Sequence, residues 1–362
     1  MSGLPHRVGA IDVLRGGAVL GVIFTHCAFV VPAIGDFWFR IFRSGQYGVD
    51  LFFVISGFVL TESVHRRGAK SGGSEQWGFL RRRMMRLFPL YWLGVVVFGF
   101  LIEDRLVLRI GETPPFAWLG NVLLLNGLQP GWENRVVPGG WSIGAEAVFA
   151  VVFALIYPKV KGLRSAIVVW IMALVVSMGL APTLSRVIAE ILGLGGDADS
   201  AFFSLYYLPT FAAGMVVWHL KQSFPRNRIS TVVAGSLALA GVAVVLARSF
   251  GWGTDWDRGL VVGAAMGLIV LGGSQLTASS TLGQGLAWIG RLSYGAYLVH
   301  FAMIGLAETV LVTLLPITTP MMVMFGLLVL MVSGLTFPVA WALENPRAVL
   351  TRFGARKSSE SD

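Results

Sequence analysis

The sequence carries a single cysteine, Cys27, so no internal disulfide braces it and cysteine usage says little about the redox compartment. Its five histidines are scattered, which leaves no metal-ligand spacing and no expected metal site. Charged residues are scarce, at 13% against 55% hydrophobic, and the mean hydropathy is +0.74. That balance excludes an ordinary soluble globule. There is no internal repeat, and no composition shift marks a second domain. A cleavable secretory signal is not expected, because Asp12 and Arg15 interrupt the approach to the first apolar run and no small-residue cleavage site follows. The first helix is therefore expected to remain as an anchor. A net charge of +9 raises the question of nucleic acid, but the placement of the basic residues gives another answer.

Long apolar runs between breakers predict about ten transmembrane helices, near 12–34, 46–64, 86–102, 141–158, 164–181, 203–220, 229–247, 258–275, 292–314 and 321–343. Twelve tryptophans suit interfacial belts, and 45 glycines suit close helix approach. A further apolar run, from Phe116 to Leu128, is short and interrupted by Asn121 and Asn126, and reads as a re-entrant or interfacial piece. With ten spans and the N-terminus inside, 19 basic residues fall on inner segments and 8 on outer ones, with Arg15 completing the 28. An eleventh span would destroy that asymmetry. The expectation is an all-α integral membrane protein with both termini cytoplasmic and no nucleic-acid role. Residues 1–347 form its transmembrane domain. Residues 348–362 are a polar tail, expected to be disordered, and Gly68 to Ser74 is a flexible stretch in a basic inner loop.

Polar residues inside the spans are costly and mark function. Arg15 and His26 stand eleven positions apart in the first span, so they share a helix face roughly 16 Å apart along the axis. By depth, Arg15 lies near the inner face with Arg82, Arg83 and Arg86, while His26 lies in the outer half. Asp50 enters the second span from outside. Ser142 stands at the outer rim of the fourth span, with Glu146 one turn deeper. His26, Asp50 and Glu146 are thus expected to converge near the outer side. The arginines, of which Arg83 and Arg86 share a face, form an inner vestibule suited to phosphate. A histidine in a protected cavity acts as general base toward a hydroxyl, with Asp50 or Glu146 holding its tautomer. Arg66, Arg67 and Lys70 read as topology signals that touch anionic lipid.

The runs IDVLRGGAVLGVIFTHCAF, GQYGVDLFFVISGFVL, FLRRRMMRLFPLYW, WSIGAEAVFAVVFALIY and IGRLSYGAYLVHF, in that order, resemble the membrane-bound acyltransferase family 3. Its members include bacterial O-acyltransferases of surface polysaccharides, Nod factors and macrolides. Arg15 and His26 match the family's basic residue, ten intervening residues and histidine. Arg83 and Arg86 match its arginine-x-x-arginine pattern. Trp141, Ser142 and Glu146 match its tryptophan-serine element with glutamate, although Gly144 and Ala145 make this version unusually small. The resemblance implies a multi-pass protein of the bacterial inner membrane. Its donor and co-substrate is cytoplasmic acyl-CoA, above all acetyl-CoA, bound by Arg15, Arg83 and Arg86, with no permanently bound cofactor. The acceptor is a glycan or glycolipid hydroxyl at the periplasmic side, met by Trp141 and Ser142, with His26, Glu146 and Asp50 as catalytic residues. Longer family members carry a second, esterase-like domain, which is expected to be absent here or replaced by a partner.

A proton-coupled transporter of an anionic or sugar-linked solute is the alternative, since intramembrane His, Asp and Glu with opposed arginines suit it too. It lacks the inverted repeats that many such transporters show. Among the remaining residues, His300, Tyr294 and Tyr297 belong to a tyrosine- and histidine-rich ninth span and either line the cavity or pack. Arg291 adds to the inner mouth or anchors its helix. Glu344 and His219 read as structural, and His6 and His65 as solvated. Cys27 points about 100° away from His26, against a Cys-His nucleophile pair.

Overall fold

The computed structural model describes residues 6–66, 73–101, 115–128, 134, 136–191, 203–223, 230–253, 257–275, 280–346 and 348. Arg67, Lys70 and the tail from 349 onward lie outside them. Among the described residues there is no strand. The described residues form fourteen α-helices in order: α1 (His6–Val30), α2 (Asp36–Arg43), α3 (Gly48–Arg66), α4 (Gly73–Val96), α5 (Pro115–Val122), α6 (Gly140–Ile156), α7 (Leu163–Val175), α8 (Ala181–Ile191), α9 (Leu208–Ser223), α10 (Thr231–Ser249), α11 (Arg258–Gly273), α12 (Thr281–Arg291), α13 (Ser293–Leu314) and α14 (Met321–Glu344). Ser230 and Ser280 cap α10 and α12 by accepting from Val233 and Gly283.

Eight helical stretches among the described residues are long and apolar enough to cross a membrane, making this an all-α integral membrane protein. The expected sixth and eighth spans differ. They form α9 and α11, of 16 residues each, about 24 Å long. Both are largely buried against α3, so surrounding protein rather than their own length shields their backbone ends. The Phe116–Leu128 run forms α5, a turn through Leu124 at φ 56° and a 3-10 turn at Asn126–Leu128, packed into the bundle instead of spanning it. Helix α12 was not expected. Eleven residues with interspersed glycines fall short of a span, yet it lies along α1.

Small residues set how close these helices come. A Cβ on Gly290 of α12 would sit 1.8 Å from the Asp12 carbonyl oxygen, and one on Gly16 would sit 2.1 Å from that of Leu286. Backbone-to-backbone contact of this kind substitutes for the hydrophobic drive that lipid does not supply. It fixes α1 against α12 and thereby the position of Arg15 one residue away. Glu344, at the end of α14, accepts from the Gly295 backbone N–H at 2.7 Å. It caps the start of α13, a structural role as expected.

Gly290→Ala should lower stability by about 1–3 kcal/mol through overpacking. Gly305→Ala, with open space around its Cβ, should not. Thermal unfolding of both variants in detergent checks the pair, and equal midpoints would contradict the close-contact account.

Candidate active site

Helix α4 presents Arg83 and Arg86 three residues apart, and α1 presents Arg15 to the same space. With Ser142 and Glu146 of α6 and Tyr294 and Tyr297 of α13 they line an open cleft, walled by Val49, Phe52 and Phe53 of α3. Arg83 Nη2 donates to Glu146 Oε2 at 2.5 Å and to Ser56 Oγ at 3.0 Å. Ser56 in turn donates to Glu146 Oε1 at 3.1 Å. Arg15 Nη1 stands 3.9 Å from Asp12 Oδ1. The lining residues thus include three guanidiniums and one carboxylate, which is held by Arg83, and this leaves the cleft a net cationic lining. Tyr294 anchors the α4 wall by donating to the Leu87 carbonyl at 2.6 Å.

Glu146 was expected beside His26, and the structure corrects this. It lies one turn beyond Ser142, where α4 and α3 supply a guanidinium and a hydroxyl. A carboxylate in an apolar bundle gains far more from that ion pair than from a neutral imidazole. Asp50 is corrected too. It is fully buried on another face of α3, where Oδ2 accepts from Arg258 Nη2 of α11 at 3.0 Å. The Arg258 guanidinium is flanked by the rings of Tyr47 and Tyr207, with centroids 5.3 and 5.2 Å away. Asp50 therefore ties α3 to α11 and is not part of the cleft lining.

His26 faces α13. Its Nδ1 is 3.1 Å from His300 Nε2, and its ring packs on Phe301 at 4.4 Å and near Phe29 at 6.3 Å. His300 Nδ1 lies 2.7 Å from the Tyr297 carbonyl oxygen. One turn back on the same helix, the Tyr297 hydroxyl accepts from Ser142 at 2.8 Å and donates to the Gly139 carbonyl at 3.2 Å. Ser142 and the Tyr297 hydroxyl thus join α6 to α13 beside the cleft, and the Tyr297 backbone carbonyl meets His300, which faces His26. Tyr297 lines the cleft, whereas the fully buried His300 does not and packs against His26 instead. Arg291 is exposed at the end of α12 and does not line the cleft.

Trp141 lies behind the cleft wall, with its ring 4.9 Å from Tyr207 and 6.0 Å from Phe53. Ser142 is the member of that pair that reaches the cleft. The small Gly144 has a local reason: a Cβ there would meet Asn126 Oδ1 at 2.7 Å and the Gly127 nitrogen at 2.8 Å. The interrupted run packs directly on α6, held by Tyr91, which donates to Asn121 at 2.8 Å and accepts from Asn126 at 3.2 Å. Ser56 was missed, since one serine in an apolar helix carries no signal by itself. Cys27 is buried among Val19 and Ile23 and has no part in the site. His65 is exposed as expected, but stacks on Trp218 with ring centroids 4.1 Å apart. No group of three or more metal-ligating side chains occurs among the described residues.

The molecule is thus a multi-pass bundle with a cationic cleft and, nearby on two of the same helices, a pair of facing histidines. The chain matches the sequence profile of the acyltransferase domain family over residues 8–344, and it belongs to that family. It is 26% identical over 333 residues to the peptidoglycan O-acetyltransferase OatA of Listeria monocytogenes, covering 84% of this chain and 50% of that protein. It is 29% identical over 280 residues to the exopolysaccharide production protein ExoZ of Rhizobium meliloti, covering 72% of this chain and 76% of that protein. The chain thus spans about half the length of the first of these relatives. No solved structure matches it.

Asp50→Ala should cost on the order of 3 kcal/mol, because it strands the Arg258 guanidinium, and Asp50→Ala with Arg258→Met should cost less than the single change. Equilibrium unfolding of both variants checks this. A single variant that is fully stable but inactive would return Asp50 to the chemistry.

Proposed function

We propose that this protein is a membrane O-acyltransferase. It takes an acyl group, acetyl in the first instance, from acyl-CoA at the cytoplasmic face of the bacterial inner membrane and passes it to a hydroxyl of a glycan or glycolipid at the periplasmic face. Both chain ends then lie inside. The observation that carries this reading is that one helix pair, α1 and α13, presents Arg15, Tyr294 and Tyr297 to the three-arginine cleft and His26 and His300 to each other. Arg15, Arg83 and Arg86 offer charge and planar forks that suit the phosphates of CoA, and the thin pantetheine arm suits a path between helices. The names of the two relatives, one a peptidoglycan O-acetyltransferase and one an exopolysaccharide production protein, favour a glycan acceptor. Family membership favours acyl transfer over solute transport.

In the reaction His26 removes the proton of the acceptor hydroxyl as its oxygen attacks the thioester carbonyl. The carbon–sulfur bond then breaks, the electron pair leaves with the CoA sulfur, and the proton held by His26 passes to that thiolate. Direct transfer needs no nucleophile in the protein, which agrees with Cys27 being buried among Val19 and Ile23 rather than facing the site. Glu146 serves the donor end. Arg83 holds Glu146 in the empty cleft and exchanges part of that contact for phosphate when CoA arrives.

Full-length protein in nanodiscs, given radiolabelled acetyl-CoA and surface glycan extract with no ion gradient, should acetylate the glycan. His26→Ala should lose about 10²-fold or more of that rate while inserting normally. Wild-type acylation by this variant would remove His26 from the mechanism. Replacing both Arg83 and Arg86 with Gln should weaken CoA binding by about tenfold or more in calorimetry, as expected for lost charge-assisted hydrogen bonds. Unchanged CoA affinity would return these arginines to topology signals. Mass analysis of surface glycans from deletion and wild-type cells identifies the acceptor.

A further inference from the structure

The two histidines that meet between α1 and α13 have their protons assigned by their partners. His300 is fully buried, and its Nδ1 lies 2.7 Å from the Tyr297 carbonyl oxygen. A carbonyl oxygen has no proton to give, so the one shared at that distance belongs to Nδ1. A neutral imidazole carries one N–H, which leaves His300 Nε2 with a lone pair. That lone pair faces His26 Nδ1 at 3.1 Å. Two lone pairs aimed at each other would repel, so His26 Nδ1 carries the proton and donates. The free nitrogen of His26 is then Nε2, the acceptor a general base needs.

We propose that His300 is a positioning residue: by accepting from His26 Nδ1–H it holds His26 in the tautomer whose Nε2 removes the acceptor's proton. This rests on the reading of His26 as the base. The role is the one a carboxylate plays in a catalytic triad, where the partner of the second ring nitrogen fixes tautomer and orientation. Here both carboxylates considered for it are engaged elsewhere, Asp50 with Arg258 and Glu146 with Arg83. A neutral acceptor is left to do the work. When His26 takes the proton on Nε2, its Nδ1–H bond to His300 becomes charge-assisted and strengthens as the transition state forms. The Tyr297 carbonyl orients the His300 ring in turn, so α13 supplies both the acceptor and its orientation. Phe301, whose centroid lies 4.4 Å from His26 and 4.2 Å from His300, packs against both rings.

The test is a tautomer measurement joined to kinetics. Full-length protein with 15N-labelled histidine in lipid nanodiscs gives the protonation of each ring nitrogen by solid-state NMR, and the His26 signals are those lost in His26→Gln. The expected wild-type spectrum has a protonated Nδ1 and a bare Nε2 on His26. His300→Phe, which keeps a ring but offers no acceptor, should lower kcat about 10²-fold while the KM for acetyl-CoA stays within about twofold, because the arginine cleft is untouched. His300→Gln, with an amide oxygen near the former Nε2, should recover about a tenth of wild-type kcat or more, as a neutral hydrogen-bond acceptor is restored. A protonated Nε2 on wild-type His26, or wild-type kcat in His300→Phe, overturns the proposal. If His300→Phe does not insert, the wild-type spectrum decides alone. The two readings fail separately. An active His26→Ala sinks the base itself, whereas an inactive His26→Ala with an Nε2–H tautomer sinks only the role of His300.

Discussion

A charge inside an apolar helix bundle survives only with a partner or a wet cavity, and the arrangement of this protein follows from that constraint. Arg83 and Glu146 answer it together, with Ser56 closing the triangle. Their ion pair joins α4 to α6 at the mouth of the cleft, and it leaves Arg15 and Arg86 as cationic lining in excess of the one carboxylate there. Asp50 and Arg258 answer it a second time on another face of α3, with two tyrosine rings beside the guanidinium. The two pairs tie α3 to α11 on one face and, through Ser56, to α4 and α6 on another.

The same constraint explains the histidine pair. A buried imidazole needs partners for both nitrogens, and His300 finds the Tyr297 carbonyl on one side and His26 on the other. In the proposed reaction the cationic cleft binds the donor, the acyl group passes Tyr297 between α1 and α13, and the histidines act where it is delivered. Binding and proton transfer are then separated along the axis of α1 by roughly the three turns between Arg15 and His26. A two-sided reaction requires such a separation, since donor and acceptor come from opposite faces.

Much of this was legible in the sequence because depth is written in residue numbers. The spacing of Arg15 and His26, the grouping of Arg15 with Arg83 and Arg86, and most of the spans need only helix rise and hydropathy. Rotation is not written there, nor is how far neighbouring helices slide past one another. Counting from the expected outer ends placed Glu146 and Asp50 near His26, whereas Glu146 meets Arg83 and Asp50 meets Arg258. Arg258, 208 residues from Asp50, could be found only once α11 was packed on α3. Ser56 was invisible for the same reason. Gly144 and Ala145 stood out by their size, but their purpose needed the Asn126–Gly127 turn that rests on Gly144. The two short helices, α9 and α11, were read as full spans because apolar composition does not distinguish a lipid-facing helix from one sheltered by protein.

The central claim is that the arginine cleft and His26 belong to one site. A cryo-electron microscopy structure of the full-length protein with CoA bound tests it most directly. The account predicts phosphate oxygens on Arg15, Arg83 and Arg86, a loosened Arg83–Glu146 contact, and the CoA thiol reaching past Tyr297 to the His26 ring. CoA bound outside this cleft, or bound within it with its thiol walled off from His26 by packed side chains, would contradict it.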